Sequence, residues 1–246
     1  MLPAALFGAV YVPNFILQAI ARCEPELRTQ PLAIIDGSPP TYQVVALNRL
    51  AEILGVACGM TKAAVSQFVQ VTIRTRCRVR EEAAHAALLD VAWSITPRVE
   101  DAARDTLLID ISGLSSLFGD AETIAREIAS RASTFGMHVH VAVSANVETA
   151  RIVARALPGP TIVPEGEERR FLETLPVSML SPSFELSDIF DRWGVTTCKR
   201  SLPCRCFLFP NVWGRKESTC RPSPVEKVCA RCCSPNLRNT SKNGSN

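Results

Sequence analysis

Two short runs decide the fold: Thr106-Leu-Leu-Ile-Asp-Ile111 and, one helix later, Val139-His-Val-Ala-Val143. Each is apolar, short and bounded by polar residues, which reads as a buried strand. Between them Gly113 to Gly119 holds a short helix, and Asp120 caps a longer one reaching about Thr134. Upstream, Leu6 to Val12 reads as a strand, and Asn14 is placed to cap a helix whose Phe15, Ile16, Ala19 and Ile20 share a face. Leu32 to Ile35 is a further strand, closed by the turn Asp36-Gly-Ser-Pro-Pro40. Tyr42 to Leu47 is the next. Asn48 then caps a helix ending at Gly55, Val56 to Met60 connects, Thr61 starts another helix, and Val69 to Ile73 is a strand. Arg80 to Ile95 carries Ala84, Ala87, Leu88, Val91 and Ile95 at helical spacing. Asn146 caps a helix to Ala156, Pro160 to Val163 is a last strand, and Glu165 to Leu172 a helix. This alternation predicts an α/β fold, a mixed sheet with covering helices. Residues 174–197 change character, to small helices packed around Leu180, Leu186, Ile189, Phe190 and Trp193, so a boundary is expected near Thr174. The expected divisions are 1–173, 174–198 and 199–246.

The composition, 47% apolar and 21% charged over 246 residues, excludes whole-chain disorder. No apolar run reaches eighteen residues without Pro or polar breaks, so no membrane span is expected. The first twenty residues have no Lys or Arg and contain Pro13 and Asn14, unlike a secretory leader. Charge is unevenly spread. The last 49 residues hold ten basic and two acidic groups, a balance of +8, which leaves 17 against 22, or −5, in residues 1–197. The body therefore has no strong bulk attraction for nucleic acid. Cys23, Cys58 and Cys77 lie in the body and seven cysteines in the tail. Three scattered thiols suit a reducing, cytoplasmic compartment.

In their order these segments resemble the palm and fingers of Y-family (UmuC-type) translesion DNA polymerases. The matching pieces are Phe7 to Ile20, Val44-Val-Ala-Leu-Asn-Arg-Leu-Ala-Glu-Ile-Leu-Gly-Val-Ala-Cys-Gly-Met60, Ile95-Thr-Pro-Arg-Val-Glu100, Leu107-Leu-Ile-Asp-Ile-Ser-Gly113 and Val139-His-Val-Ala-Val-Ser-Ala-Asn146. Glu165-Gly-Glu-Glu168 and Leu175-Pro-Val177 resemble the palm edge, and Trp193-Gly-Val-Thr-Thr197 the start of the thumb. Within the family the chain is most similar to the ImuB branch of polymerase-like mutagenesis accessory proteins. The resemblance implies a palm with a fingers insertion around residues 36–80 and an incomplete helical thumb.

Catalysis in that family needs carboxylates at three positions, because two divalent ions about 3.5–4 Å apart clamp the attacking and leaving oxygens. The first belongs to an Asp-x-Asp-x-Phe pattern, and here that stretch is Tyr11-Val-Pro-Asn-Phe15. The other two form an Asp-Glu pair, which falls on Asp105 and Thr106. Asp105 is the only family carboxylate retained. The Tyr and Arg that grip the triphosphate fall on Arg49 and Glu52, and the Lys after the palm Asn falls on Val147. The resemblance then implies no catalytic residue and no metal set. It implies a non-catalytic accessory protein in DNA repair and damage-induced (SOS) translesion mutagenesis, holding DNA and working with an error-prone replicative-type polymerase, other mutagenesis proteins and the sliding clamp. The alternatives are an active translesion polymerase, the one reading that requires Mg²⁺, and a pure protein-interaction module. No other cofactor and no membrane partner is expected, and which residues would touch DNA stays open.

Other features carry both a functional and a plain reading. His138 and His140 bracket Val139 at strand spacing, either as a metal pair or as half-exposed strand residues. Asp36, Glu100 and Asp110 could form a separate acidic site or be solvated strand ends. Ser112-Gly113 and Ser144 lack a nucleophile-elbow context, and Gly37 and Gly55 lack a phosphate-cradling one. Arg74, Arg76, Arg78 and Arg80 alternate near Lys62, as a solvated edge or a phosphate-contact strip. In the tail, Cys204, Cys206, Cys220, Cys229, Cys232 and Cys233 suggest zinc, yet Pro, Ser, Arg and Asn dominate and no apolar period is present. Cys198-Lys-Arg-Ser-Leu-Pro-Cys-Arg205 can instead be encoded so that a shifted frame reads QTLAALPV, which has helical spacing. The tail is accordingly expected to be an out-of-frame continuation of a truncated copy, lacking the full thumb, the little-finger domain and the clamp-binding segment. An unstructured basic tail of other origin is the third option.

Overall fold

The computed structural model describes residues 5–180 and 184–201, and the zinc, frameshift and basic-tail readings fall outside those residues. The chain divides into two compact units at Glu168/Arg169.

The first unit holds two sheets. In the larger, β1 (Phe7–Tyr11) lies between β6 (Thr106–Asp110) and β7 (His140–Ser144), antiparallel to both. β5 (Val99–Ala103) pairs with the outer side of β6, and β8 (Pro160–Ile162) runs parallel to β7. Alternation along the strands sends Val10, Leu107, Ile109, Val141 and Val143 to one face. That face is closed by α4 (Arg78–Trp93), through Ala84, Leu88 and Val91, and by α6 (Ala121–Thr134), through Ile124 and Ile128. On the opposite face α7 (Val147–Ala156) packs across β1 and β7. Buried Ala9 and Ala142 on the strands, and Ala150 and Ala154 on the helix, keep that contact thin.

The smaller sheet has the order β3 (Gln43–Leu47), β2 (Leu32–Asp36), β4 (Thr72–Thr75), with β3 antiparallel and β4 parallel to β2. β2 is buried on both faces, which is why it reads as an unbroken apolar run. Leu32 and Ile34 meet Leu17 and Ile20 of α1 (Phe15–Ala21). Ala33 and Ile35 face Val44, Ala51, Val56 and Val65. Asn48 caps α2 (Arg49–Ile53) through a hydrogen bond from Ala51 N, and Thr61 caps α3 (Lys62–Val65) through one from Ala64 N. Asp120 and Asn146 cap α6 and α7 in the same way, accepting from Thr123 N and Thr149 N.

Three local expectations change. Asn14 heads α1 in the left-handed region (φ 50°) and makes no side-chain cap. β4 starts at Thr72, three residues later than its apolar run suggested, because Val69 is 95% exposed in the preceding turn. β5 was not anticipated: its Glu100 and Asp101 are exposed at a sheet edge, so it has no apolar alternation.

The second unit starts within α8 (Glu168–Glu173) and continues through a 3-10 turn (Val177–Leu180), α9 (Phe184–Arg192) and α10 (Cys198–Ser201). Pro176 and Thr197 form a bridge, with Cys198 N donating to Leu175 O at 2.9 Å. Leu172, Leu175, Val177, Phe190 and Cys198 are buried, whereas Trp193, expected in the core, is 42% exposed. Burial pushes the Cys198 thiol up to about 11, so it is a protonated packing group.

Gly8 tests the packing of the central strand. A Cβ there would lie 2.8 Å from Ile109 Cγ1, inside the contact limit. Gly8→Ala is expected to lower unfolding free energy by about 1–3 kcal/mol, read from urea denaturation; a neutral result would show that Ile109 repacks freely.

Candidate functional site

The register of β1 and β6 places Tyr11 directly opposite Thr106, with Asp105 one residue before it. Val12 N donates to Asp105 O at 2.8 Å, pinning the turn to the end of β1. The three positions at which the resemblance calls for metal carboxylates therefore do come together. Thr106 Oγ1 donates to Asp105 Oδ1 at 2.8 Å. Asp105 Oδ2 faces Arg155 Nη2 at 3.7 Å. The Arg155 guanidinium carbon lies 5.5 Å from the Tyr11 ring centroid, and His140, opposite Tyr11 on β7, meets the same ring edge-on at 6.0 Å. Burial raises the Tyr11 hydroxyl above its ordinary 10, the Asp105 charge adds to this, and Arg155 pulls the other way. Tyr11 is thus a neutral phenol at neutral pH.

Two divalent ions do not fit this donor set. Mg²⁺ takes anionic oxygens, and here one carboxylate is available, with one oxygen held by a hydroxyl and the other turned to a guanidinium. Among the described residues no group of three or more His, Cys, Asp or Glu is arranged to hold a metal.

Beside the cluster a cleft of about 470 Å³ runs from the palm sheet to β3, lined by Tyr11, Asn14, Phe15, Ile16, Val45, Ala46, Arg76, Glu81, Arg104 and Asp105. Arg76 and Glu81 form a two-bond pair in its wall, Nε to Oε1 at 2.7 Å and Nη2 to Oε2 at 2.8 Å. Glu81 is 2% exposed. The arginines of the alternating strip are all committed: Arg74 and Arg80 to Glu24, at 2.9 and 2.6 Å, and Arg76 and Arg78 to Asp36, at 3.3 and 3.7 Å. These contacts hold carboxyls down. For Glu24 the hydrogen bond from Arg80 leads; for Asp36 it is the Gly37 N–H, with Arg76 behind it.

Other expected positions stand apart. Val147 lies beside Phe7 and Asp110 at the opposite end of β1 from Tyr11, about 13 Å along the strand. Arg155 is the basic side chain set against the Tyr11 ring. Arg49 and Glu52 pair with each other at 3.2 Å on the exposed side of α2 and do not line the cleft. His138 precedes β7 and is exposed, and His140 turns to Tyr11 and Ala154 O, so the two share no site. Asp110 pairs with Arg98 at 2.8 Å, and contacts with Ser112 first, then Arg98, lower its carboxyl. Asp36 belongs to the smaller sheet, so no joint acidic site with Glu100 forms. Sequence reading missed Arg155, Glu81 and His85, whose ring links Asp101 (2.9 Å) to Arg104 O (3.0 Å) under the β5–β6 turn. Only Arg155 had a local signal, a cation in the last turn of a helix.

The impB/mucB/samB family pattern matches residues 10–155. The chain belongs to that family. Its relatives include a DNA polymerase IV of Desulfatibacillum aliphaticivorans, 26% identical over 72% of this chain and 42% of the relative. Protein ImuB of Caulobacter vibrioides (strain NA1000 / CB15N) is 31% identical over 41% of this chain and 22% of its own length. The chain thus spans less than half of these relatives. Among solved structures, DinB from Sulfolobus solfataricus superposes with a TM-score of 0.70 at 18% identity, over 88% of this chain and 69% of that one. A Dbh DNA polymerase in an insertion ternary complex gives 0.67 at 20%, over 85% and 64%. The fold of this impB/mucB/samB member is the palm and fingers of a Y-family polymerase, as the order of its segments implied.

Two pairs in the site separate buried from exposed charge. Glu81→Ala removes the two-bond partner of Arg76 and leaves it only the 3.3 Å contact to Asp36, and is expected to cost about 2 kcal/mol. Glu82→Ala, which breaks only a 3.8 Å exposed contact to Arg104, is expected to change stability by less than about 0.5 kcal/mol; equal urea midpoints for the two variants would contradict this. Glu24 supplies an acid test. Its folded carboxyl titrates below the ordinary 4.5, so its contribution is full above that value and is lost as pH falls through the lowered one. The stability gap between the parent and Glu24→Gln should be clear at about pH 7 and shrink as pH falls below the ordinary 4.5. A gap that grows in acid would reverse the sign.

Proposed function

We propose that this impB/mucB/samB protein is a non-catalytic, polymerase-like accessory factor in DNA repair and damage-induced translesion mutagenesis. The observation that carries the reading is the Tyr11–Asp105–Thr106 cluster, where one carboxylate remains and its oxygens face Thr106 and Arg155. In-line nucleotide transfer by two ions has no ligands there. Similarity to a protein named ImuB, alongside ones named DNA polymerase IV, supports a role beside DNA synthesis. In this reading residues 1–173 serve as palm and fingers and 174–198 as part of a thumb. The chain works in the cytoplasm, holds DNA weakly or with a partner's help, and acts with an error-prone polymerase and other mutagenesis proteins.

A second reading, a protein-interaction module that makes no DNA contact, is favoured by the pairing of Arg74, Arg76, Arg78 and Arg80 with Glu24, Asp36 and Glu81. Phosphate contacts need cations free to displace counterions. Fluorescence anisotropy of the full chain on a primer–template at two salt concentrations separates the two. Salt-weakened binding that falls in Lys62→Glu supports DNA holding by the fingers, and the absence of salt-dependent binding supports the module.

Primer extension with Mg²⁺ or Mn²⁺, on undamaged and lesion-bearing templates, tests the absence of catalysis. No extension above an Asp105→Ala control is expected, and extension above it would restore the active-polymerase reading.

A further inference from the structure

We propose that Arg155 is the resident cation of the palm: its guanidinium takes the position a metal would fill against Asp105 and ties the ends of β1, β6 and α7 together. The inference deepens the non-catalytic reading of the site and rests on it. Three contacts converge on one side chain. Arg155 Nη2 reaches Asp105 Oδ2 at 3.7 Å. The plane-bearing end of the same side chain sits 5.5 Å from the Tyr11 ring centroid, within the range of a cation–π contact. Its Nε is buried and, among the described residues, has no hydrogen-bond partner. A donor is left unsatisfied there, so hydrogen bonding alone does not explain the side chain's placement. The carboxylate and the ring quadrupole supply the attraction.

Position and chemistry agree. Arg155 stands in the last turn of α7, where carbonyl ends favour a positive charge. His140 meets the Tyr11 ring edge-on while its Nδ1 lies 3.2 Å from Ala154 O, one residue before Arg155. Thr106 Oγ1 occupies the other Asp105 oxygen. Every group around the carboxylate is thus supplied by the chain. A phenol in place of a carboxylate at position 11 fits this arrangement, because an aromatic face accepts a guanidinium where a second anion would have called for a metal.

The test reads stability and ion binding, not nucleotide transfer, so it stands or falls separately from the non-catalytic reading. In a cycle of Arg155→Met, Asp105→Asn and the double variant, the fall in thermal midpoint of the double is expected to be clearly smaller than the sum of the singles. Should Arg155→Met fail to fold, Arg155→Gln, which also removes the charge, replaces it in the same cycle. In a second arm, Arg155→Glu puts a carboxylate beside Asp105, and Mn²⁺ titration followed by electron paramagnetic resonance is expected to show at least about tenfold tighter binding than in Arg155→Glu with Asp105→Asn. Full additivity in the cycle, or equal Mn²⁺ affinity in the two glutamate variants, overturns the proposal.

Discussion

The pairing of β1 with β6 is the constraint on which the rest of the structure depends. β1 is the middle strand of the larger sheet, hydrogen-bonded on both edges. A slip of one residue would exchange its faces, turning Val10 toward α7 and Ala9 toward α4 and α6. The observed register places Tyr11 across from Thr106 and Phe7 across from Asp110. It also gives α7 a face of small residues, so that the helix can lie close and deliver Arg155 to the Tyr11 end. Core packing and site assembly are consequences of one alignment.

Among the described residues, carboxylates are paired within the chain at several places. Glu24 takes two arginines, Asp36 takes two, and Glu81 is closed into the cleft wall by Arg76. At Asp105 the same solution appears beside an aromatic ring. A buried or half-buried carboxylate must find a cation, and a family site that draws its cations from solution can lose that need when an arginine arrives from a neighbouring helix. The family relationship and the proposed non-catalytic role are then compatible. The fold is shared with DinB and Dbh, while Tyr11 and Thr106 stand where the resemblance calls for two of the three carboxylates.

Where sequence reading and structure part, the cause is local. β5 has polar Glu100 and Asp101 because it is an edge, and its pairing to β6 comes from backbone bonds that leave no pattern in side chains. Val69 looks like the start of a strand, yet the chain turns before Thr72 and leaves it in solvent. Asn14 has the composition of a cap but takes a left-handed backbone, which asparagine tolerates, and so points its amide elsewhere.

The sequence by itself determined the alternation of strands and helices, the caps at Asn48, Thr61, Asp120 and Asn146 and the palm-and-fingers class, and it set Tyr11 and Thr106 where the resemblance calls for carboxylates. Each of these is a matter of period, cap chemistry or residue identity at a matched position, and all are local. Only the tertiary structure decided that the Arg74 to Arg80 strip is internally paired, that Val147 and Tyr11 lie at opposite ends of β1, and that Arg155 stands against Asp105. The ion pairs among them join residues up to 56 positions apart. Their contacts follow from strand register and helix packing, which no short window of sequence contains.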